Sequence, residues 1–126
     1  MKRTARKSFL VLLLVILSGA CKDELPTGVV VFPESNVSYS RHIEPLWTQK
    51  CLSCHQGSTP PDLTPPSYTS LMTYQPQLVI PGQGYNSLLV QMLDGRIGPP
   101  MPPSEKLNEN QIKGIMTWIN EGAQNN

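Results

Sequence analysis

The stretch Cys51-Leu52-Ser53-Cys54-His55 places two cysteines three positions apart and a histidine directly after the second one. Residues at this spacing share one face of a helical turn, so both thiols can reach the same partner. The order C-x-x-C-H is typical of covalent haem attachment, in which each thiol forms a thioether with one vinyl group of the porphyrin. The neutral imidazole of His55 is then placed to bind the iron. The stretch therefore predicts one haem c.

Two other uses of this cysteine pair remain open. A redox dithiol usually lies in a βαβ context, whereas this chain has proline-rich loops and short helical patterns. A structural zinc site needs four ligands, usually from two separated pairs, and Cys21 and His42 are the spare candidates. His42 is also an alternative iron ligand, although a histidine that precedes an apolar helix face is typically exposed to solvent.

Residues 1–20 have the pattern of a bacterial signal peptide. Basic side chains precede an apolar run from Phe9 to Leu17, which is far shorter than the ~20 residues of a membrane-spanning helix. Small residues then lead to Cys21, and this order resembles a lipoprotein signal in which the cysteine is lipidated and becomes the new N-terminus. We therefore expect Cys21 to anchor the protein in the bacterial cell envelope; cleavage nearby, which would leave Cys21 a free thiol, is the alternative.

Residues 21–38 are predicted to form a flexible tether, because they are mostly polar and contain proline and glycine. The apolar run from Val29 to Phe32 is expected to be a β-like segment that lies on the domain. Lys22, Asp23 and Glu24 resemble an export address for the outer face of the outer membrane, so both a periplasm-facing and a cell-surface location are expected. Residues 39–126 are predicted to form a single domain.

Charge and cysteine count narrow the choice of partners. Four of the ten basic residues lie in the signal segment, which leaves six against nine acidic residues and a net charge of about −3. Nucleic acid is therefore not an expected partner, because its binding calls for a basic face. One lipidated cysteine and two thioethers use all three cysteines, so none is left for a disulfide.

The pattern of residues 39–126 predicts an all-α domain of short helices. A first apolar face leads into the cysteine motif, with Ser40 as its expected N-cap. Leu63 is expected to contact the haem from the following loop. Helices are predicted over residues 68–73, with Ser67 as the cap, and over 86–93 and 109–121, and the last is expected to begin with a capping box and to bury one stripe. The apolar positions of the first and last helices are Ile43, Leu46, Trp47, Ile112, Ile115, Met116 and Ile119.

Met101 stands between prolines on both sides, in the order Pro99-Pro100-Met101-Pro102-Pro103. Proline fixes φ and removes backbone donors, so the loop is stiff and can hold a thioether against iron. The other methionines beyond the signal segment, Met72, Met92 and Met116, lie on predicted apolar helix faces, where core packing explains them. Met101 is therefore the predicted sixth iron ligand, opposite His55.

Residues 39–126 resemble a small class I c-type cytochrome domain, and especially the compact bacterial cytochromes of the planctomycete type. The resemblance rests on five short stretches: Ile43-Glu44-Pro45-Leu46, the motif of Cys51, Cys54 and His55, Pro81-Gly82 with Ser87-Leu88-Leu89, Met101-Pro102-Pro103, and Trp118-Ile119 with Gly122-Ala123. It implies an all-α fold around one haem, ligation by histidine and methionine, and single-electron transfer.

The leading expectation is thus a membrane-tethered electron carrier that serves redox protein partners and is not itself an enzyme. An iron with six ligands has no open site for substrate chemistry. A haem-based sensor, in which a small ligand displaces Met101, is the alternative. A zinc-held structural lipoprotein is the third hypothesis.

Overall fold

The computed structural model describes residues 28–126, and the predicted signal peptide and the predicted lipidation site, Cys21, lie outside them. The described chain contains four α-helices and no strand, so the prediction of an all-α domain is confirmed. We number the helices α1 (Glu44–Lys50), α2 (Tyr68–Thr73), α3 (Leu88–Leu93) and α4 (Glu109–Asn120). In the part of the chain that the structure covers, no helix is both long and apolar enough to cross a bilayer.

The chain enters α1 through a π-helical turn, Tyr39–Ile43. The expected N-cap was Ser40, but Ser38 takes this position, and its side chain accepts a hydrogen bond from the backbone N–H of Arg41 at 3.3 Å. Pro45 lies in the first turn of α1, where its missing N–H would have no partner within the helix. The wider first turn therefore leads into a regular helix that ends at the cysteine motif.

The last helix, α4, begins and ends as its sequence predicts. The Asn108 side chain accepts a hydrogen bond from the backbone N–H of Gln111 at 2.9 Å, and the Gln111 side chain accepts one from the backbone N–H of Asn108 at 3.0 Å. Ile115 and Ile119 of the predicted stripe are fully buried. Gly122 follows the helix with a φ of +104°, a conformation that favours glycine.

One buried cluster joins all four helices. At its centre the ring centroids of Tyr39 and Trp118 lie 5.3 Å apart, and those of Tyr39 and Tyr68 lie 5.1 Å apart with nearly perpendicular planes. Such edge-to-face pairs add to the stability gained from burial of the rings. The core therefore ties the entry to α1 to both α2 and α4.

The segment before Tyr39 packs against the domain, so the predicted tether boundary at residue 38 lies too far along the chain. Val37 and Ser38 are buried, and the Phe32 ring lies directly over Gly114 in α4. The Glu121 carboxylate accepts a hydrogen bond from the backbone N–H of Val37 at 2.9 Å. As expected, the apolar run from Val29 to Phe32 lies on the domain, with Val29 and Val31 exposed.

Candidate functional site

A cavity of about 480 Å³ opens beside the cysteine motif. This volume lies within the range of roughly 300–1,000 Å³ that is typical of small-molecule and cofactor sites. Its walls are almost entirely apolar, and Lys50 is the one lysine, arginine, aspartate or glutamate among its lining residues. The walls come from α1, α2, α3 and the intervening loops, through Trp47, Lys50, Cys51, Cys54, His55, Thr59, Pro60, Pro61, Leu63, Leu71, Tyr74, Pro76, Leu78, Leu88, Leu89, Met92, Leu93, Met101, Pro102 and Pro103.

The two cysteines line this cavity together. Cys51 follows α1, and its carbonyl accepts hydrogen bonds from the backbone N–H groups of Cys54 at 3.1 Å and His55 at 2.9 Å. These bonds close one helical turn, which places residues three apart on the same side. Cys51 is half-buried, Cys54 is exposed, and both are free thiols. The motif therefore presents two thiols to a single space that reaches the surface.

The environment of Cys51 differs from that of a redox dithiol. Burial, together with a smaller contribution from the neighbouring Cys54, raises the pKa of the Cys51 thiol to about 11. Catalytic dithiols depend instead on a lowered pKa, because the thiolate is the attacking species. The free thiol of Cys51 is thus kept neutral at ordinary pH, which disfavours disulfide-exchange chemistry.

The imidazole of His55 is oriented by the loop that follows it. Its Nδ1–H donates a hydrogen bond to the carbonyl of Pro61 at 3.2 Å, because that oxygen can only accept. The His55 carbonyl in turn accepts a bond from the backbone N–H of Leu63 at 2.8 Å. This arrangement fixes the tautomer and leaves Nε2 available as a metal ligand.

Short-range bonds shape the loop that holds the Pro61 carbonyl. The Asp62 side chain accepts a hydrogen bond from the backbone N–H of Thr64 at 2.9 Å, and the bonds from Thr64 lower the pKa of the Asp62 carboxyl. Leu63 is buried and lines the cavity, as expected from its sequence. The loop therefore presents a polar carbonyl to His55 and an apolar side chain to the cavity.

Two methionines line the cavity, whereas the sequence singled out one. Met101 lies on the proline-rich loop, and its backbone N–H donates a hydrogen bond to the carbonyl of Met92 at 3.2 Å. Met92 belongs to α3, and its side chain also lines the cavity. The sequence assigned Met92 to core packing alone because its helical spacing carries no information about the space it faces. The cavity thus offers two thioether sulfurs.

His42 lies away from the cavity. Its Nδ1 accepts a hydrogen bond from the backbone N–H of Ser38 at 2.9 Å, and its ring lies 6.0 Å from that of Phe32 between centroids. These contacts give His42 a structural role at the entry to α1. Among residues 28–126 no three His, Cys, Asp or Glu side chains come together in a group that could hold a metal ion.

An ion pair stands at the mouth of the cavity. The Lys50 ammonium lies 2.7 Å from a carboxylate oxygen of Glu105, which follows the Met101 loop. The Lys50 side chain is 26% exposed and that of Glu105 is 73% exposed. Pairs in contact with solvent contribute little stability, so this pair adds a polar contact beside an otherwise apolar cavity without stabilising the fold appreciably.

Comparisons of this chain with protein-family models, with curated proteins and with solved structures find no match.

Proposed function

We propose that this chain is a c-type haem protein, with one haem bound covalently through Cys51 and Cys54. The proposal is supported by one observation above all: a single apolar cavity is lined by both thiols, by His55 and by Met101. A flat, largely apolar macrocycle suits such walls, since burial of apolar surface is favourable. The donor set fits the group, because imidazole and thioether ligands are those of cytochromes c.

Within this class, we assign the chain to membrane-tethered electron carriers with a small class I cytochrome c fold. It would carry single electrons between redox proteins of the bacterial cell envelope, with Cys21 as the lipid anchor. Nε2 of His55 and the sulfur of Met101 would bind the iron. A thioether ligand favours a raised reduction potential, and two protein ligands leave no position for a substrate.

The bound haem supplies reversible one-electron chemistry at its iron. The chain itself positions and insulates that group. The Pro61 carbonyl holds the Nδ1–H of His55, which raises the basicity of the other ring nitrogen. The leucines of α3 exclude water from the cavity, which limits solvent reorganisation during transfer. Cys54 is exposed, so a thioether formed there would lie near the surface.

The test is expression with a haem-attachment system, followed by mass measurement and absorption spectroscopy. We expect a mass increase equal to one haem, a weak red-edge band of sulfur-to-iron bonding in the oxidised protein, and resistance of the reduced protein to carbon monoxide. Ready binding of carbon monoxide would favour the haem-based sensor instead. A colourless protein without a haem adduct would contradict the proposal and favour a zinc-held structural lipoprotein.

The anchor is tested separately through Cys21, because its role does not depend on the haem. We expect Cys21→Ser to move the protein from the membrane pellet to the soluble fraction while the haem spectrum stays unchanged. Cys54→Ala is the matched control, since it should alter haem attachment and leave the protein in the pellet. Retention of Cys21→Ser in the membrane would show that lipid at this residue is not the anchor.

A further inference from the structure

The loop that carries Met101 closes on a single carbonyl at the end of α3. The Met92 carbonyl accepts hydrogen bonds from the backbone N–H of Gly95 at 3.3 Å and from that of Met101 at 3.2 Å. Between these two donors, the backbone N–H of Ile97 donates to the carbonyl of Gln91 at 3.2 Å. All three acceptors lie in the last turn of α3, so these bonds fasten the loop to the helix that precedes it.

Proline limits how else the backbone of this loop can be held. The loop has four positions without an N–H group, which are Pro99, Pro100, Pro102 and Pro103. It therefore has few backbone donors for contacts with the rest of the domain, and side chains become important. In the part of the chain that the structure describes, one side-chain hydrogen bond joins residues 94–103 to a segment outside the loop and α3, and Arg96 donates it.

The Arg96 guanidinium contacts the turn that precedes α3. A terminal N–H donates to the carbonyl of Tyr85 at 2.8 Å, and Cζ lies 3.9 Å from the centroid of the Tyr85 ring. The Nε–H donates to the Asp94 carboxylate at 2.7 Å. A planar guanidinium presents these donors in a fixed fork, whereas the ammonium of a lysine is a single point charge. Arg96 therefore ties the loop of Met101 to a second segment of the domain.

The occupancy of a methionine–iron bond depends on how firmly the chain holds the sulfur. A tethered thioether competes with dissolved ligands through its effective concentration at the iron, which depends on the length and stiffness of the tether. A ligand from solution binds only while Met101 is away, so its apparent affinity is proportional to the open fraction of the loop. The loss of one hydrogen bond to a charged group is sufficient to change such a fraction by roughly tenfold.

We propose that Arg96 is a positioning residue for Met101, and that it keeps the sulfur on the iron by clamping the loop to Tyr85. The inference rests on the proposed function, because it concerns the predicted sixth ligand of the haem. Arg96 is not among the residues that line the cavity. It therefore acts through the loop and not by direct contact with the bound group.

The test titrates the oxidised, haem-loaded protein with imidazole and follows loss of the red-edge band of sulfur-to-iron bonding. We expect Arg96→Gln to bind imidazole roughly tenfold more tightly than the unaltered protein, because its loop is open for a larger fraction of the time. Arg96→Lys keeps the positive charge but not the fork, and its affinity should lie between the two. An imidazole affinity that is the same in Arg96→Gln and the unaltered protein would overturn the proposal.

Two further variants separate the clamp from a general loss of stability. Tyr85→Phe keeps the ring face and the carbonyl that Arg96 contacts, so its imidazole affinity should match that of the unaltered protein. In Met101→Leu no sulfur competes with imidazole, and addition of Arg96→Gln should then change the affinity by no more than about twofold. A tenfold effect that persists in this background would mean that Arg96 does not act through Met101, and would overturn the proposal.

The outcomes also separate this inference from the proposed function. A haem-loaded protein that has the red-edge band, but whose imidazole affinity does not depend on Arg96, would overturn the role of Arg96 and leave the electron carrier intact. A chain that acquires no haem would overturn both, and its mass shows this before imidazole is added.

Discussion

Met92 and Met101 present the same functional group to one cavity from backbones of different kinds. The sulfur of Met92 is placed by α3, and that of Met101 by a loop with prolines on both sides. We predict that Met101→Leu keeps the covalent haem, loses the red-edge band, lowers the reduction potential and lets carbon monoxide bind. Met92→Leu should change none of these properties. Absorption spectra and redox titration of the two variants are the measurement.

Loss of stability cannot account for a difference between these two variants. Exchange of methionine for leucine conserves side-chain volume, and such swaps usually cost less than about 1.5 kcal/mol. Both variants should therefore fold and retain haem to a similar degree. If Met92→Leu were the variant that loses the band, the ligand would belong to α3 and the role of Met101 predicted from its prolines would be wrong.

The titration of Tyr39 should make the stability of the fold depend on pH in the alkaline range. Burial raises the pKa of Tyr39 from 10.0 to about 12, and the charge of Glu44 adds to the rise, against the opposing hydrogen bonds. Between these values the folded protein keeps the phenolic proton while the unfolded chain has lost it. The stability that this proton preference provides is therefore fully present below about pH 10 and is lost as the pH rises towards 12.

The titration of Tyr39 can be separated from that of other groups by comparing the free energy of unfolding of the unaltered protein with that of Tyr39→Phe. We predict that their difference in the free energy of unfolding, measured by urea titration, is constant below about pH 10 and shifts steadily in favour of Tyr39→Phe above it. A difference that stays constant up to about pH 12 would show that the folded protein does not protect the proton of Tyr39.

The position of a single residue could be predicted where local sequence determines it, and could not where the rest of the fold determines it. The common placement of Cys51, Cys54 and His55 at one cavity follows from their spacing along a helical turn, which is a local property. The carbonyl that binds His55 could not be chosen from the sequence, because the path of a loop depends on the rest of the fold. The structure identifies it as that of Pro61.

The helices show the same distinction between local and tertiary contacts: the start of α4 is made by local contacts, whereas the residue before α2 makes a tertiary one. The capping box of α4 was predicted in full because Asn108 and Gln111 bond to each other's backbone. Ser67 was also predicted to precede α2, and α2 begins at Tyr68 as expected. The Ser67 side chain does not cap that helix, however. Its hydroxyl and its backbone N–H both bond to Glu44 of α1, a tertiary contact that no local pattern contains.

The contact between Phe32 and α4 predicts an unusual response to alanine. A Cβ at Gly114 would overlap the Phe32 ring, so Gly114→Ala must displace the segment before Tyr39. Overpacking typically costs about 1–3 kcal/mol, which outweighs the ~1 kcal/mol that alanine gains over glycine in a helix. We predict a lower free energy of unfolding for Gly114→Ala, together with faster amide exchange at Val37.

Phe32→Gly supplies the matched background, because it removes the ring and also the Cβ of residue 32, which a Cβ at Gly114 would overlap as well. Without these atoms Gly114→Ala should stabilise the protein by up to about 1 kcal/mol through helix propensity alone. The sign of the effect thus reverses between the two backgrounds, which identifies the contact as its cause. The same destabilisation in both backgrounds would show that Phe32 does not rest on α4.

At the scale of the whole molecule, the cavity and the buried core share several side chains. Trp47, Leu63 and Leu71 belong to the buried cluster and also line the cavity. Leu88, Leu89, Met92 and Met101 line it as well, but protein atoms bury them only in part. Complete burial of a large apolar side chain contributes about 1.5–3 kcal/mol. Because these four side chains are already partly buried, covering the rest of them would contribute about half of that amount each, together about 3–6 kcal/mol. This is a large part of the net stability of a small domain, roughly 5–15 kcal/mol.

We therefore predict that cooperative folding of the domain depends on haem attachment. The same chain made without an attachment system should keep helical far-ultraviolet circular dichroism, lose most of its near-ultraviolet signal, bind a hydrophobic dye and unfold over a broad temperature range. Cys51→Ala/Cys54→Ala made with the attachment system is the matched control and should behave in the same way, since it cannot form the thioethers. Sharp thermal unfolding of either protein, at the temperature of the haem-loaded form, would mean that residues 39–126 form a complete core without the macrocycle.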